Sequence, residues 1–436
     1  MTIDFSAAQS EVVQICSDLI RIDTQNWGEG KANPERPAAD YIAEKFREVG
    51  LDSEIYESAR GRANLVARIK GTNPDRPALV MHGHTDVVPA DASEWSVDPF
   101  GGEVKDGLLW GRGAVDMKNG CAMIIAVVRQ MMRENIVPDR DILVVFFADE
   151  EAGGTYGSGW MVDNHPEVFA GASEAVSEVG GYSVDVRGEK VYLVQTAEKG
   201  LQWLKLVAKG TAGHGSQRND DNPIVKLAEA VARIGRYEWP VEIPQATREL
   251  LKGVAELTGI EYSEDNFPAL LKELGSVEKF VGPTFATSAN PTALGGGYKH
   301  NVIPGSAEAL VDCRPIPGRT EDALLTLKEL AGPDVDIVPV VQHVSLETPF
   351  EGDLVEQMKK SVLAYDPEAH VLPYALSAGT DNKALSFLGI TGYGFIPLRL
   401  PADLDFPAMF HGVDERVPTE TLEFGTQILG DFIVNA

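Results

Sequence analysis

The sequence predicts an α/β fold: a catalytic domain with a mainly parallel central sheet flanked by helices, plus an inserted α+β lid or dimerisation domain. Three observations predict it. Short apolar runs alternate with helical patterns through the first part of the chain, as strands buried on both faces require. Near residue 199 the pattern changes to alternating, half-exposed strands, and after residue 345 apolar runs and helices take over again. A chain of 436 residues is also too long for one ordinary core. The spans expected are 1–198 and 346–436 for the two parts of the catalytic domain, and 199–345 for the insert.

Taken in order, Val12, Val13, Ile15, Cys16, Leu19 and Ile20 fall at helical spacing. A second helix begins at Pro37, a favoured first-turn residue, and ends at Gly50. Residues 64–69 (NLVARI) read as a strand. The next run, Ala78 to Met81, stops abruptly in His82, His84 and Asp86. A helix over 119–134 follows, then the apolar run 141–148, which ends in Asp149, Glu150 and Glu151. A short helix is expected within 154–164 and a strand over 174–178. Residues 191–209 read as one alternating, half-exposed strand. A helix over 223–234, a polar and irregular stretch over about 240–292, strand-like stretches with turn punctuation at 295–305 and 307–318, a helix over 320–330 and a strand at 335–340 complete the insert. Helices at 353–364 and 419–433, a loop at 377–382 leading into a helix, and a strand at 391–398 close the chain. No internal repeat or low-complexity tract interrupts this order.

Composition narrows the function classes. The chain is 44% apolar and 24% charged, as for a globular protein. A formal net charge of −28 excludes nucleic acid and anionic membranes as partners. The three cysteines, Cys16, Cys121 and Cys313, lie far apart, so the expectation is buried free thiols in a reducing compartment. The start, MTIDFSAAQ, lacks a basic region followed by an apolar one, and the longest apolar runs are too short for a bilayer. The expected location is cytoplasmic. The tryptophans are expected in the core.

Two apolar strands ending in acids and histidines mark a site, because ligands in open α/β sheets bind beyond the carboxyl ends of strands. The candidate set is His84, Asp116, Glu150, Glu151, Glu178 and His411. Imidazole with carboxylate, and no thiolate, suits zinc, cobalt or manganese. Asp86, two residues after His84 on the same strand face, could orient its ring. Each signal alone has a plainer reading: a loop histidine satisfied by a carboxylate, a solvated strand end at Glu150-Glu151, a turn acid at Asp116. His82 is as readily packing as support. His165, His300, His343 and His370 read as surface or structural residues.

The motifs GHTDVVP, EWSVDPFGG, GRGAVDMKNG, ADEE, HNVIP and GTD occur in one order from the N-terminal helix to the last histidine. In this the chain resembles the M20 family of metallopeptidases and aminoacylases. The resemblance implies two divalent metal ions, zinc first and cobalt or manganese otherwise. His84 and Glu178 would serve one ion, Glu151 and His411 the other, and Asp116 both. It implies that Glu150 is the general base toward the attacking water, that Asp86 orients His84, and that the Asp116–Met117 peptide is cis. It implies further that the insert forms a homodimer and that His214, in GTAGHGSQ, reaches an oxyanion across it. Asn301, Arg314, Gly379 and Thr380 would hold substrate. The activity so implied is hydrolysis of an amide bond beside a free carboxylate, in an N-acyl amino acid, a dipeptide or a C-terminal residue. A narrow deacylase of the desuccinylase or acetylornithine deacetylase kind is the alternative, and a metal-free binding protein a remote one.

Overall fold

The computed structural model describes residues 3–436. Its large sheet has ten strands: β1 (Ser53–Ala59), β2 (Arg62–Ile69), β3 (Ala78–His84), β4 (Ile142–Phe147), β5 (Ala172–Ser177), β6 (Tyr182–Val186), β7 (Glu189–Glu198), β8 (Leu346–Glu347), β9 (His370–Leu376) and β10 (Thr391–Gly394). The order across the sheet is β6-β7-β10-β5-β3-β4-β2-β1, with β8 and β9 also paired to β7. The middle, from β10 through β5 and β3 to β4, is parallel, as is β9 on β7, and the other pairs are antiparallel. The sheet is therefore mixed, with its continuous parallel part where the acids and histidines gather.

Burial explains why these runs became strands. Every residue of β3 and β4 is buried, because helices cover both faces. On one side the helices Ser6–Arg21, Lys118–Glu134 and Thr419–Asn435 pack on one another. Val12, Ile15 and Leu19 meet Ile124, Val128, Ile428 and Phe432 in that core. The other side is closed by Ser158–Asn164 and Asn382–Ser386, whose Met161 and Leu385 cover Val80, Leu143 and Phe147. The three cysteines are free and buried. Of the tryptophans only Trp95 is buried; Trp27 and Trp203 are exposed. Among the described residues no helix is long and apolar enough to cross a membrane.

The smaller unit is an antiparallel sheet in the order Ser288–Gly296, Ser306–Arg314, Leu201–Lys209, Val335–His343. Helices Pro223–Gly235 and Thr320–Ala331 close one face around Leu204, Leu206, Leu227, Val311 and Leu327. Ser306–Arg314 alternates between exposed and buried along its length, as one covered face demands.

Two stretches differ from the expectation. Residues 191–209 form two strands, broken at Lys199-Gly200. Val191 to Glu198 are all buried within the large sheet, and only Leu201–Lys209 belongs to the small one. The alternation that suggested one half-exposed strand comes from its second half. The stretch 240–292 is helical, with helices Gln245–Thr258, Phe267–Lys272 and Glu278–Val281. Its Ala246, Leu250, Leu251 and Val254 lie on one helical face, interleaved with Arg248, Glu249 and Lys252, so a polar composition hid an amphipathic period. Leu250, Leu251, Val254, Leu270, Val281 and Phe285 join the large core, not the small one. The chain thus returns to the large unit partway through the span 199–345.

Candidate metal centre

The parallel strands β5, β3 and β4 run in register, Met81 lying between Val144 and Val176, so their carboxyl ends share one edge. His84 is the last residue of β3, Glu178 follows β5, and Glu150-Glu151 follow β4 in a short 3-10 turn. Asp116 arrives from the turn before helix Lys118–Glu134, after which the Asp116–Met117 peptide is cis. His411 comes from the loop before the last helix. Three backbones beside the cluster are left-handed without glycine: Asp149 (φ 66°), Val179 (φ 49°) and His411 (φ 56°). For β-branched Val179 that conformation is costly, and strain of this kind persists where surrounding structure overrides it at functional sites.

These residues form two donor triads, each with its ligand atoms within 4.8 Å of one another: His84, Asp116 and Glu178, and Asp116, Glu151 and His411. His84 Nε2 lies 3.1 Å from Asp116 Oδ1 and 3.3 Å from Glu178 Oε2. His411 Nε2 lies 3.3 Å from Asp116 Oδ2 and 3.1 Å from Glu151 Oε2. Asp116 thus turns one oxygen to each triad. Glu151 Oε1 is buried without any hydrogen-bond partner. A second unused acceptor in a ring of carboxylates and imidazoles suits a hard or borderline divalent cation. Cys121 takes no part, its Sγ pairing with the backbone oxygen of His84 at 3.2 Å. The residues present fit two divalent ions.

Buried neighbours hold the donors in place. His84 Nδ1 donates to the Asp86 backbone carbonyl at 3.0 Å, while the Asp86 carboxylate stands farther off at 3.5 Å. That carboxylate mainly accepts other donors: the Glu150 and Glu151 amides at 3.1 and 3.2 Å, and Asn26 Nδ2 at 2.9 Å. Asp86 therefore sets the turn that carries Glu150 and Glu151 as much as it orients His84. Asn26 also donates to Asp149, which pairs with Arg62. Glu415 accepts the amides of Gly113, Val115 and Asp116 and pairs with Arg112 at 2.8 Å, fixing the turn that presents Asp116. His82 donates from Nε2 to Asn382 at 2.9 Å and packs edge-on against Phe147. Asn26, Glu415 and Asn382 carry no motif that marks them in the sequence. The only local hint is the acid pair Asp414-Glu415 just after His411.

The electrostatics are those of a site short of positive charge. Burial and the Glu178 charge push the Glu150 carboxyl well above its usual range. Burial likewise raises Glu178 to about 8, against the pull of His84. Burial pushes His84 down, but Glu178 and Asp116 override it and raise the imidazole's affinity for a cation, a proton included, well above its usual range. Hydrogen bonds to Asp116 and Glu151 lift His411 to about 10. Asp116 resists burial and stays low because both imidazoles face it. A buried cluster of four carboxylates is stable only with compensating cations.

Two cavities meet at this cluster and share Glu150, Glu151, Ala378, Gly379 and His411. The larger, about 450 Å³, is lined by Arg314 from the small sheet together with His343, Thr380, Asp381 and Lys383. Arg314 is held by Asp312 through Nε and Nη2 at 2.7 and 3.1 Å. Lys383 donates to the Lys199 carbonyl at 2.6 Å, and Thr380 Oγ1 to Glu198 at 3.4 Å. His343 and Lys383 are additions to the sequence-derived set; His343, read as a surface or structural residue, lines this cavity. The smaller cavity, about 240 Å³, adds Asp116, Glu178, Val179, Phe280, Leu376 and Phe410 to the shared residues. His214 and Asn301 line neither cavity. They sit side by side, exposed, where Gly213–His214 pairs with Val302–Ile303 on the small unit. His165 packs against Tyr56 and Trp160, and His370 opens β9.

Comparison with known proteins agrees with this geometry. The sequence profile described as peptidase family M20/M25/M40 matches residues 80–435. Aminoacylase-1 of Pongo abelii is 28% identical over 395 residues, covering 87% of this chain and 85% of the relative. The N-fatty-acyl-amino acid synthase/hydrolase of Homo sapiens is 26% identical over 438 residues, covering 96% and 86%. In fold the chain is similar to the M20 family metallo-carboxypeptidase Sso-CP2 from Sulfolobus solfataricus, with a TM-score of 0.73 at 18% identity over 97% of this chain and 98% of that one. The chain belongs to peptidase family M20/M25/M40 and is a hydrolase acting on amide or peptide bonds.

Proposed function

We propose that the protein is a two-metal hydrolase that cleaves an amide bond beside a free carboxylate, in an N-acyl amino acid or a short peptide. The observation that carries this reading is Asp116, whose two carboxylate oxygens each face a separate His-and-Glu pair, with Glu150 beside them. His84, Asp116 and Glu178 would hold one ion, and Asp116, Glu151 and His411 the other. Zinc is the first choice, with cobalt or manganese also compatible with these donors. When bound, the ions polarise the amide carbonyl and acidify the attacking water.

The chain's own groups do the rest. Glu150 accepts the water's proton on its carboxylate and delivers it to the leaving nitrogen. Burial and the Glu178 charge raise its affinity for a proton, which makes it a stronger base toward the water than a carboxylate in the ordinary range. Asp86 fixes the amides of Glu150 and Glu151 and so aims the base. Arg314 and Lys383 give the larger cavity two basic side chains for the substrate carboxylate. Gly379 and Thr380 border the same space.

A homodimer belongs to this reading. His214 and Asn301 are exposed on the small unit and outside both cavities of their own chain, which supports a role for them in the site of a second copy. Glu150→Gln tests the mechanism. It should retain both ions, because Glu150 is in neither triad, and lose about 10²–10⁴-fold in kcat. Near-normal turnover by that variant, on a panel of N-acyl amino acids and dipeptides with Zn²⁺, Co²⁺ and Mn²⁺, removes Glu150 from the role of base.

A further inference from the structure

Apart from the cluster that forms one of its walls, the smaller cavity has no part in the proposed mechanism, and its other walls say what it takes. A linear amide with its carbonyl at the cluster must send one half into each cavity, since the two meet at Glu150, Glu151 and His411. The carboxylate half goes to the larger one, where Arg314 and Lys383 stand. The other half meets Phe280, Phe410, Leu376 and Val179, and beyond the cluster's own carboxylates and imidazole the only polar side chain there is Ser377. An anionic acyl group would lie beside Glu178 and Glu151 with no Lys or Arg to meet it, and burial without a partner is costly for a charge.

The wall is built, not incidental. Phe280 sits on Glu278–Val281, in the helical stretch that folds back onto the large core. Lys279 Nζ binds Asp405 at 2.7 Å, tying that helix to the loop that carries His411. The Phe280 ring meets Phe410 at 5.2 Å and 75°, Phe410 meets Phe406 at 5.2 Å, and Phe406 meets Tyr182 at 5.0 Å. Phe410 immediately precedes His411. A space of about 240 Å³ equals about eight waters and is far larger than an acetyl group needs.

We propose that this cavity is the acyl subsite, that it selects an apolar acyl group of about six to eight carbons, and that Phe280 and Phe410 determine that choice. The inference rests on the amide-hydrolase reading. It separates an N-acyl-amino-acid hydrolase with an apolar acyl preference from a desuccinylase.

The test measures kcat/KM of the metal-loaded full-length protein for N-acetyl, N-hexanoyl, N-octanoyl and N-succinyl derivatives of each of several amino acids. Binding of acetate, hexanoate and octanoate is followed in parallel by calorimetry. The expected result is a rise of about fourfold per methylene from acetyl to hexanoyl, with succinyl poorest. In Phe280→Ala the hexanoyl-to-acetyl ratio should fall about tenfold or more, and Phe280→Leu should restore most of it. Equal rates for acetyl and hexanoyl, a preference for succinyl, or an unchanged ratio in Phe280→Ala overturns the proposal. If no derivative is hydrolysed, the reading of an N-acyl-amino-acid substrate fails, and calorimetry still decides the subsite. Hexanoate binding more tightly than acetate in the wild type, with the gap closed in Phe280→Ala, supports it; equal affinities overturn it.

Discussion

Asp86 and His82 differ from the donors in what their burial does. Asp86 is wholly buried and ionised, because two backbone amides and Asn26 replace the water it loses. His82 is wholly buried and neutral: burial pushes it down to about 4, with the hydrogen bond to Asn382 opposing and His84 adding to the fall. An unfolded histidine titrates near 6.5. Between those values the unfolded chain takes a proton that the folded chain refuses. The stability from this group is complete above about pH 6.5 and is lost as pH falls toward 4, by roughly 3 kcal/mol in all. His82→Gln should flatten the pH dependence of unfolding in that window by about one proton. An unchanged slope shows that His82 is not the group responsible.

At the scale of elements, the site depends on strand ends that stop at the right residue. Gly180 shows how tightly this is held, since a Cβ there would stand 2.0 Å from the Gly394 carbonyl oxygen. Gly180→Ala must push β5 and β10 apart just after Glu178. It should cost about 1–3 kcal/mol of stability and weaken metal binding by the His84–Glu178 triad first. Thermal melts with and without metal would measure both. A variant as stable and as metal-competent as the wild type contradicts this placement.

These strand ends are readable in the sequence because β4 is wholly apolar, β3 is apolar through Met81, and both short runs are cut off by ionisable residues. Helices such as Lys118–Glu134 and Thr419–Asn435 are readable from their period. Asn26 and Glu415 are not, because their roles come from packing against Asp86 and the Gly113–Asp116 turn, 60 and about 300 residues away in the chain. Phe280 is hidden in the same way. Its segment looks polar in composition, and only its return to the large core puts an aromatic ring at the cluster.

At the scale of the whole molecule, each site draws on both units of one chain, with Arg314 from the small sheet facing groups from the large one. In the proposed homodimer His214 would extend that logic to a second copy. A homodimer is symmetric, so two inactive variants can complement each other. His214→Ala mixed with Glu150→Ala, after subunit exchange, should recover about one quarter of wild-type activity, because one mixed-dimer site then has both residues intact. No recovery in dimers shown by mass to be mixed places His214 outside the partner's site.

The claim on which all of this depends is the pair of ions that share Asp116. Its most direct measurement is calorimetric titration of metal-stripped protein with Zn²⁺ or Co²⁺, run beside hydrolysis of an N-acyl amino acid. The account predicts about two equivalents bound per chain, in the wild type and in Glu150→Gln alike, with hydrolysis returning only in the wild type. Binding of less than one equivalent, with no hydrolysis restored at any metal concentration, contradicts it.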